Sequence, residues 1–396
     1  MRIRRLHLAD YRNFSRLDLE LAPGVSIFIG DNSQGKSNLL EAVYLLASLR
    51  ALRAETDAQL IRRESLQDVL PAARVAAEAQ TAEGPLKIEL TLVARPGPQG
   101  PVASKAVKVN GVARRLSDAA GRLNAVLFTA DDLDLVTGSA SLRRRFLDLM
   151  LSQMEARYAA ARSRFERVLN QRNHLLKQIR EGEASPEELL FWDQQLSGYG
   201  GLLLQRRARA LQEMGELASA AHASLVADDI LGLHYQPRLE GERLDFASSS
   251  EEEAAAAYGS ALSRHVSRDI AAGMTLQGPH RDDVLLTLSG APAAAYASRA
   301  QQRTIALALR LAEARLLELQ RGEAPVLLLD DILSEMDAAR RDSVLAALAG
   351  SEQTLITGTD WDRFPEEFRA AAALFEVRPG TVQPLAGGAA GWRTPR

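Results

Sequence analysis

Gly30-Asp31-Asn32-Ser33-Gln34-Gly35-Lys36-Ser37 is the stretch on which the fold turns. Its spacing, G-x-x-x-x-G-K-[ST], is that of a phosphate-binding loop. Immediately upstream, Val25-Ser26-Ile27-Phe28-Ile29 is an apolar run that reads as a buried strand. Immediately downstream, Asn38-Leu39-Leu40-Glu41-Ala42-Val43-Tyr44-Leu45-Leu46 has helical periodicity. Glycines let such a loop wrap so that backbone N–H groups point inward at an anion, and the following helix adds its positive N-terminal end. In that arrangement Lys36 reaches the β- and γ-phosphates and the Ser37 hydroxyl ligates Mg²⁺. The spacing arises by chance in roughly one chain in a hundred of this length. The strand before and the helix after make chance rarer still, so the loop predicts binding of a nucleoside triphosphate.

Farther out, the bulk properties bound the answer. With 396 residues there is room for two or three domains. Hydrophobic and charged fractions of 46% and 25% are those of an ordinary globular protein. The absence of cysteine excludes disulfides, thiolate zinc sites and cysteine nucleophiles, and fits a reducing, cytoplasmic setting. Met1-Arg2-Ile3-Arg4-Arg5 lacks the apolar segment of a signal peptide, and no apolar run is long enough to span a bilayer. A net charge of −3 means that any DNA-binding surface must be a local basic patch.

Three strands are predicted over 1–30, two over 72–93, and one each at 125–128, 283–288, 325–330 and 353–357. Val107-Lys108-Val109-Asn110-Gly111-Val112 reads as a hairpin, because Asn-Gly suits the turn positions with φ > 0. Long helical stretches run through 141–180 and 186–225, with further helices over 299–320 and 338–349. Residues 141–180 are basic, with ten Lys or Arg against three Asp or Glu. That run is either a solvated helix face or a set of backbone-phosphate contacts, for which Arg143, Arg144, Arg145, Arg162 and Lys177 are the candidates. The expected organisation is a head at 1–140, an inserted helical lobe at 141–270, the rest of the head at 271–378, and a disordered tail from 379, which is rich in Gly, Ala and Pro.

Pro325-Val326-Leu327-Leu328-Leu329-Asp330 is continuously apolar up to its carboxylate, as a parallel strand buried on both faces should be. Asp330-Asp331 at its end stands where a nucleotidase places the Mg²⁺ carboxylate and, beside it, the carboxylate that orients the attacking water. Ser298-Arg299-Ala300-Gln301-Gln302-Arg303 opens a helix. Ser298 with Gln301 is a capping box, and the same helix start could serve as a second anion site.

Taken with Tyr11-Arg12-Asn13-Phe14, Leu127-Phe128-Thr129-Ala130-Asp131-Asp132-Leu133, Arg143-Arg144-Arg145-Phe146-Leu147-Asp148, Gln171-Arg172-Asn173 and Gly278-Pro279-His280-Arg281-Asp282-Asp283, these motifs resemble ABC-type ATPases of the DNA-repair branch related to SMC proteins. Within that branch the resemblance is to the RecF family and spans residues 1–378. It implies an α/β fold: a P-loop ATPase head with a mixed sheet flanked by helices, and an inserted, mainly helical second lobe. It makes Ser298-Arg299-Ala300-Gln301 the signature motif, Asp330-Asp331 the Walker B pair and Ser334–Asp337 the D-loop. Arg12 and Asn13 would lie near the nucleotide, Ser298 and Gln301 would contact ATP held by a second copy, and Lys36 and Asp331 would serve hydrolysis. Ala300 stands where glycine is usual, and Thr357-Gly358-Thr359-Asp360 carries no histidine where a switch histidine is expected. Weak, DNA-stimulated ATPase activity follows as the expectation. The implied cofactors are ATP and Mg²⁺, and the implied partners are duplex or gapped DNA, a second copy of the chain, RecR and RecO, in loading RecA at gaps. A transporter-driving ABC ATPase is the alternative, disfavoured by the long insert between Lys36 and Ala300.

Overall fold

A computed structural model describes the chain except residues 99, 227–228, 336–340, 342–343, 346–350 and 386–396, and the side chains of 334–335. Two compact units emerge: Met1–Asp132 with Glu313–Arg396, and Leu133–Ala312. The second unit is longer at both ends than the lobe expected at 141–270.

In the first unit, Ala373–Arg378, Gly24–Ile29, Gln353–Gly358, Val326–Asp330 and Ala125–Thr129 lie side by side and parallel, with Thr381–Pro384 antiparallel at one edge. Every residue of Val326–Asp330 is buried, as its unbroken apolar run requires. Thr381–Pro384 corrects the expectation of a disordered tail from 379: Gly380 adopts φ +69° and turns the chain back, so this strand pairs with its neighbour. Residues 386–396 of that tail lie outside the described residues, as do most of the helix read over 338–349 and Met336-Asp337 of the D-loop.

The second sheet of this unit is antiparallel, in the order Phe14–Glu20, Arg2–Tyr11, Ala72–Thr81, Gly84–Arg95, Val102–Val109, Val112–Arg114. Leu17 and Leu19 are buried and alternate with exposed neighbours, so one face of the sheet is apolar. Asn110 and Gly111 take φ +50° and +80°, the conformation expected of their hairpin turn. The helix Lys36–Ser48 is buried almost throughout from Leu39 to Ser48 and packs on both sheets. A helix apolar on all sides is stable only in such a position. Each of its fully buried leucines is worth about 1.5–3 kcal/mol.

The second unit contains the helices Ala140–Met154, Ala156–Glu181, Leu189–Leu225 and Glu251–Ala272. Its sheet joins Ala291–Pro292, Asp283–Leu288 and Leu231–Gln236, the last a strand not anticipated from the sequence. The helix Arg299–Arg321 begins in this unit. The helical stretch expected over 141–180 consists of two helices, divided at Glu155, whose backbone is extended (φ −139°, ψ 113°) and whose carboxylate accepts from Arg206 at 2.8 Å. No glycine or proline marks that break.

Candidate nucleotide-binding site

Parallel register brings the chemistry to one edge of the sheet. Asp330 lies opposite Thr357 on one side and Thr129 on the other, and Gly358 lies opposite Ile29, the last residue before the loop. The loop, the Asp330-Asp331 pair and Thr357 therefore share the C-terminal edge, where ligands bind in open α/β sheets.

The loop is held in shape by its neighbours. Ser33 and Gly35 take φ +67° and +111°, and a Cβ on Gly35 would collide with the Asn13 amide. Asn13 donates to the Gln34 carbonyl at 2.8 Å and accepts from the Asn38 amide at 2.8 Å, clamping the loop to the helix it opens. Its place is thus beneath the loop. Arg12, with φ +54°, forms a bidentate pair with buried Glu41 at 2.8–3.0 Å, so its guanidinium is engaged with the helix.

Lys36 folds back over its own loop and donates to the carbonyls of Gly30 at 2.5 Å and Asp31 at 2.9 Å. Burial lowers its pKa, opposed by the charges of Asp331, Asp330 and Asp31. The Ser37 hydroxyl donates to Asp330 at 2.8 Å, and Thr357 donates to the same carboxylate oxygen at 3.0 Å. Ser37 and Asp330, the expected metal ligands, stand 293 residues apart in the chain, and the fold brings them into direct contact. A hydroxyl and a carboxylate are hard oxygen donors that suit Mg²⁺, which usually completes its shell with phosphate oxygens and water. Among the described residues no cluster of three or more His, Cys, Asp or Glu side chains could hold a metal ion.

Asp331 takes φ +55°, and its N–H donates to Thr357 Oγ1 at 3.0 Å. Two participants escaped sequence reading. Thr357 tethers both aspartates, and only its position at a strand end could have flagged it. Arg53 reaches Asp330 at 3.0 Å and Asp131 at 3.5 Å from a loop with no motif of its own.

In the second unit, Ser298 and Gln301 form the capping box: Ser298 N–H donates to Gln301 Oε1 at 2.9 Å and Gln301 N–H to Ser298 Oγ at 3.3 Å. Ser298, Arg299 and Ala300 are exposed. Much of the basic run is engaged within the unit. Arg143 holds Asp283 with two bonds at 2.7 and 3.0 Å, Arg144 donates to the Asp282 carbonyl at 2.6 Å, and Arg162 lies 3.1 Å from Asp148. Arg143, Arg144 and Arg162 are thus engaged by internal acceptors. Arg145 is half-buried, and Lys177 is exposed.

The family model for the RecF/RecN/SMC N terminal domain matches residues 2–381. DNA replication and repair protein RecF of Roseiflexus castenholzii is 39% identical, with 97% of this chain and 100% of that protein covered. The chain belongs to the RecF family. Relatives named RecF in Chloroflexus aurantiacus and Staphylococcus aureus are 39% and 35% identical over 96% of this chain. A solved structure of the recombination mediator protein RecF-ATPrS in the RecFOR pathway matches with a TM-score of 0.84 at 28% identity, covering 97% of this chain and 98% of that one. An Smc head bound to the C-winged helix domain of ScpA shares the fold, with a TM-score of 0.51 at 15% identity and 97% of each chain covered. The mixed sheet flanked by helices with a long helical segment is thus the RecF and SMC-head architecture. Among the described residues no helix is long and apolar enough to cross a membrane.

Proposed function

We propose that this RecF-family chain is an ATP-operated DNA clamp of cytoplasmic replication and recombinational repair. The observation that carries the reading is the Ser37–Asp330 contact at the mouth of the phosphate loop. It unites the two motifs of an ATPase site across almost the whole chain. Gly30 to Asn38 wrap the phosphates, with Asn13 bracing the loop from below. Lys36 exchanges its two loop carbonyls for phosphate oxygens, a stronger pairing because the acceptors are charged. Ser37 and Asp330 would hold Mg²⁺, whose chemistry there would be to offset the phosphates' negative charge. Asp331 accepts the proton of the attacking water.

Ser298 and Gln301 of each copy face ATP held by the other, so two heads close on two nucleotides and on duplex or gapped DNA between them. Ala300 adds a methyl where the phosphate approaches, and no histidine stands at Thr357–Asp360, so hydrolysis and reopening are slow. The closed form marks gaps for RecA loading with RecR and RecO.

Asp331→Asn tests the reading. An amide still holds a water but cannot take its proton. ATP binding should stay within about twofold of wild type while hydrolysis falls by about a hundredfold and DNA retention after dilution lengthens. Unchanged hydrolysis would remove Asp331 from the reaction.

A further inference from the structure

The signature helix start depends on a residue that no motif contains. Gln301 uses both ends of its amide: Oε1 accepts from Ser298 N–H at 2.9 Å, and Nε2 donates to Asp229 Oδ2 at 3.0 Å. Asp229 is itself fixed to the adjoining sheet. Ser289 Oγ lies 3.4 Å from its other oxygen, the Ile230 N–H donates to Ser289 Oγ at 3.3 Å, and the Ser289 N–H donates to the Ile230 carbonyl at 2.7 Å. All these residues lie within the second unit.

A glutamine amide presents a carbonyl at one end and an NH₂ at the other, and a flip exchanges them. A carboxylate only accepts, so Asp229 admits a single orientation, with NH₂ toward itself and the carbonyl toward Ser298 N–H. In the flipped state two donors would meet at Ser298 and the capping box would open. The carboxylate also lies near the positive end of a long helix, where negative charge is favourable. Ser298, Arg299 and Ala300 are exposed, so this bond supports a helix start with little packing of its own.

We infer that Asp229 is a positioning residue for the signature motif, locking the Gln301 amide so that the exposed Ser298–Gln301 turn is preformed for the nucleotide of a second copy. The inference rests on the ATP-driven dimer proposed above. A helix start ordered in advance spares the dimer the entropy of ordering it on contact.

The test is a double-mutant cycle on the full chain, read as the dimer dissociation constant in ATP and Mg²⁺ by sedimentation, with monomer ATP affinity measured alongside. Asp229→Ala should weaken the dimer by about tenfold, the scale of one hydrogen bond to a charged group, and leave monomer ATP affinity unchanged. Asp229→Asn keeps an oxygen that accepts from Gln301 and should recover most of the loss. In a Gln301→Ala background, Asp229→Ala should add nothing, because the residue acts through Gln301. Asp229→Ala equal to wild type, or its full effect persisting without Gln301, overturns the inference. If Asp229→Ala does not fold, Asp229→Leu, similar in size and without an acceptor for the Gln301 amide, takes its place in both backgrounds under the same criteria. A wild-type chain that stays monomeric at saturating ATP contradicts the dimer reading itself, a separate and recognisable outcome.

Discussion

Charged groups do different work in the two units. At the phosphate loop they line a strand edge and are held by local backbone: Lys36 by Gly30 and Asp31 carbonyls, Asp330 by Ser37 and Thr357. Under Gly278–Asp283 they are sealed into the packing. Arg207 donates to Asp148 at 2.8 Å and to the Pro279 carbonyl at 2.5 Å, and lies 3.5 Å from Asp282. Tyr158 donates to Asp148 and Tyr235 to Asp282, while Gly278, at φ +120°, leaves no room for a Cβ beside the Tyr258 hydroxyl. One guanidinium serves two carboxylates unequally. Asp148, held close by Arg207 and also facing Arg162, keeps its pKa low against burial, whereas burial wins at Asp282 and raises it to about 6. The first site is built to exchange its partners for a ligand. The second is built to keep them.

The largest effect should come from breaking the sealed network. Arg207→Ala strands Asp148 and Asp282 in the interior and should cost about 3–5 kcal/mol. Denaturant unfolding followed by a probe in the second unit measures it. A loss under about 1 kcal/mol would mean that the network is no more stabilising than a surface pair. Lys36→Met inverts the pattern. The apo protein should unfold within about 1 kcal/mol of wild type, while ATP affinity falls by about a hundredfold, the loss of charged hydrogen bonds to two phosphates. Wild-type affinity by labelled nucleotide would refute the assignment of the loop.

The basic helices sharpen the comparison. Arg143→Ala frees Asp283 and should lower stability by about 1–2 kcal/mol, yet leave the slope of log DNA affinity against log salt unchanged. Lys177→Ala should leave stability alone and reduce that slope by about one unit. Reversed outcomes would place Arg143 on the DNA surface.

The smallest effect is a pH dependence. Asp282 has a folded pKa of about 6, above its ordinary 3.8, so its contribution is complete below about 3.8 and is lost as pH rises through about 6. His280, whose Nε2 bonds to the Thr275 carbonyl at 2.9 Å, is pushed by burial from 6.5 to about 4, so its contribution grows as pH rises from about 4 to 6.5. The two oppose each other between pH 4 and 6 and should leave a nearly flat profile from this pair. Asp282→Asn removes one side, and thermal stability of that variant should rise with pH across the window more steeply than wild type. A parallel profile would show that Asp282 does not titrate there.

The sequence was legible where chemistry is contiguous. Eight residues define the loop, and the apolar run ending at Asp330 announces its own strand and orientation. The clamp by Asn13 and the tether by Thr357 were not legible, because hydrogen-bond partners across a sheet edge carry no spacing signal. The basic run is legible only in part for a related reason. Charge density along 141–180 is visible, but the carboxylates that consume it, Asp148 within the run and Asp283 far beyond it, are joined to it only by folding. The break at Glu155 and the strand Leu231–Gln236 likewise depend on partners from other segments.

The central claim is that ATP closes two copies of the chain on each other through the Ser298–Gln301 turn. Sedimentation velocity of wild type and Ser298→Arg, each with and without ATP and Mg²⁺, tests it most directly. Wild type should be monomeric without nucleotide and dimeric with it. Ser298→Arg should bind ATP with unchanged affinity and remain monomeric, because the long side chain fills the joint. A Ser298→Arg protein that dimerises like wild type would reduce Ser298 to a helix cap worth about 1 kcal/mol of stability and contradict the account.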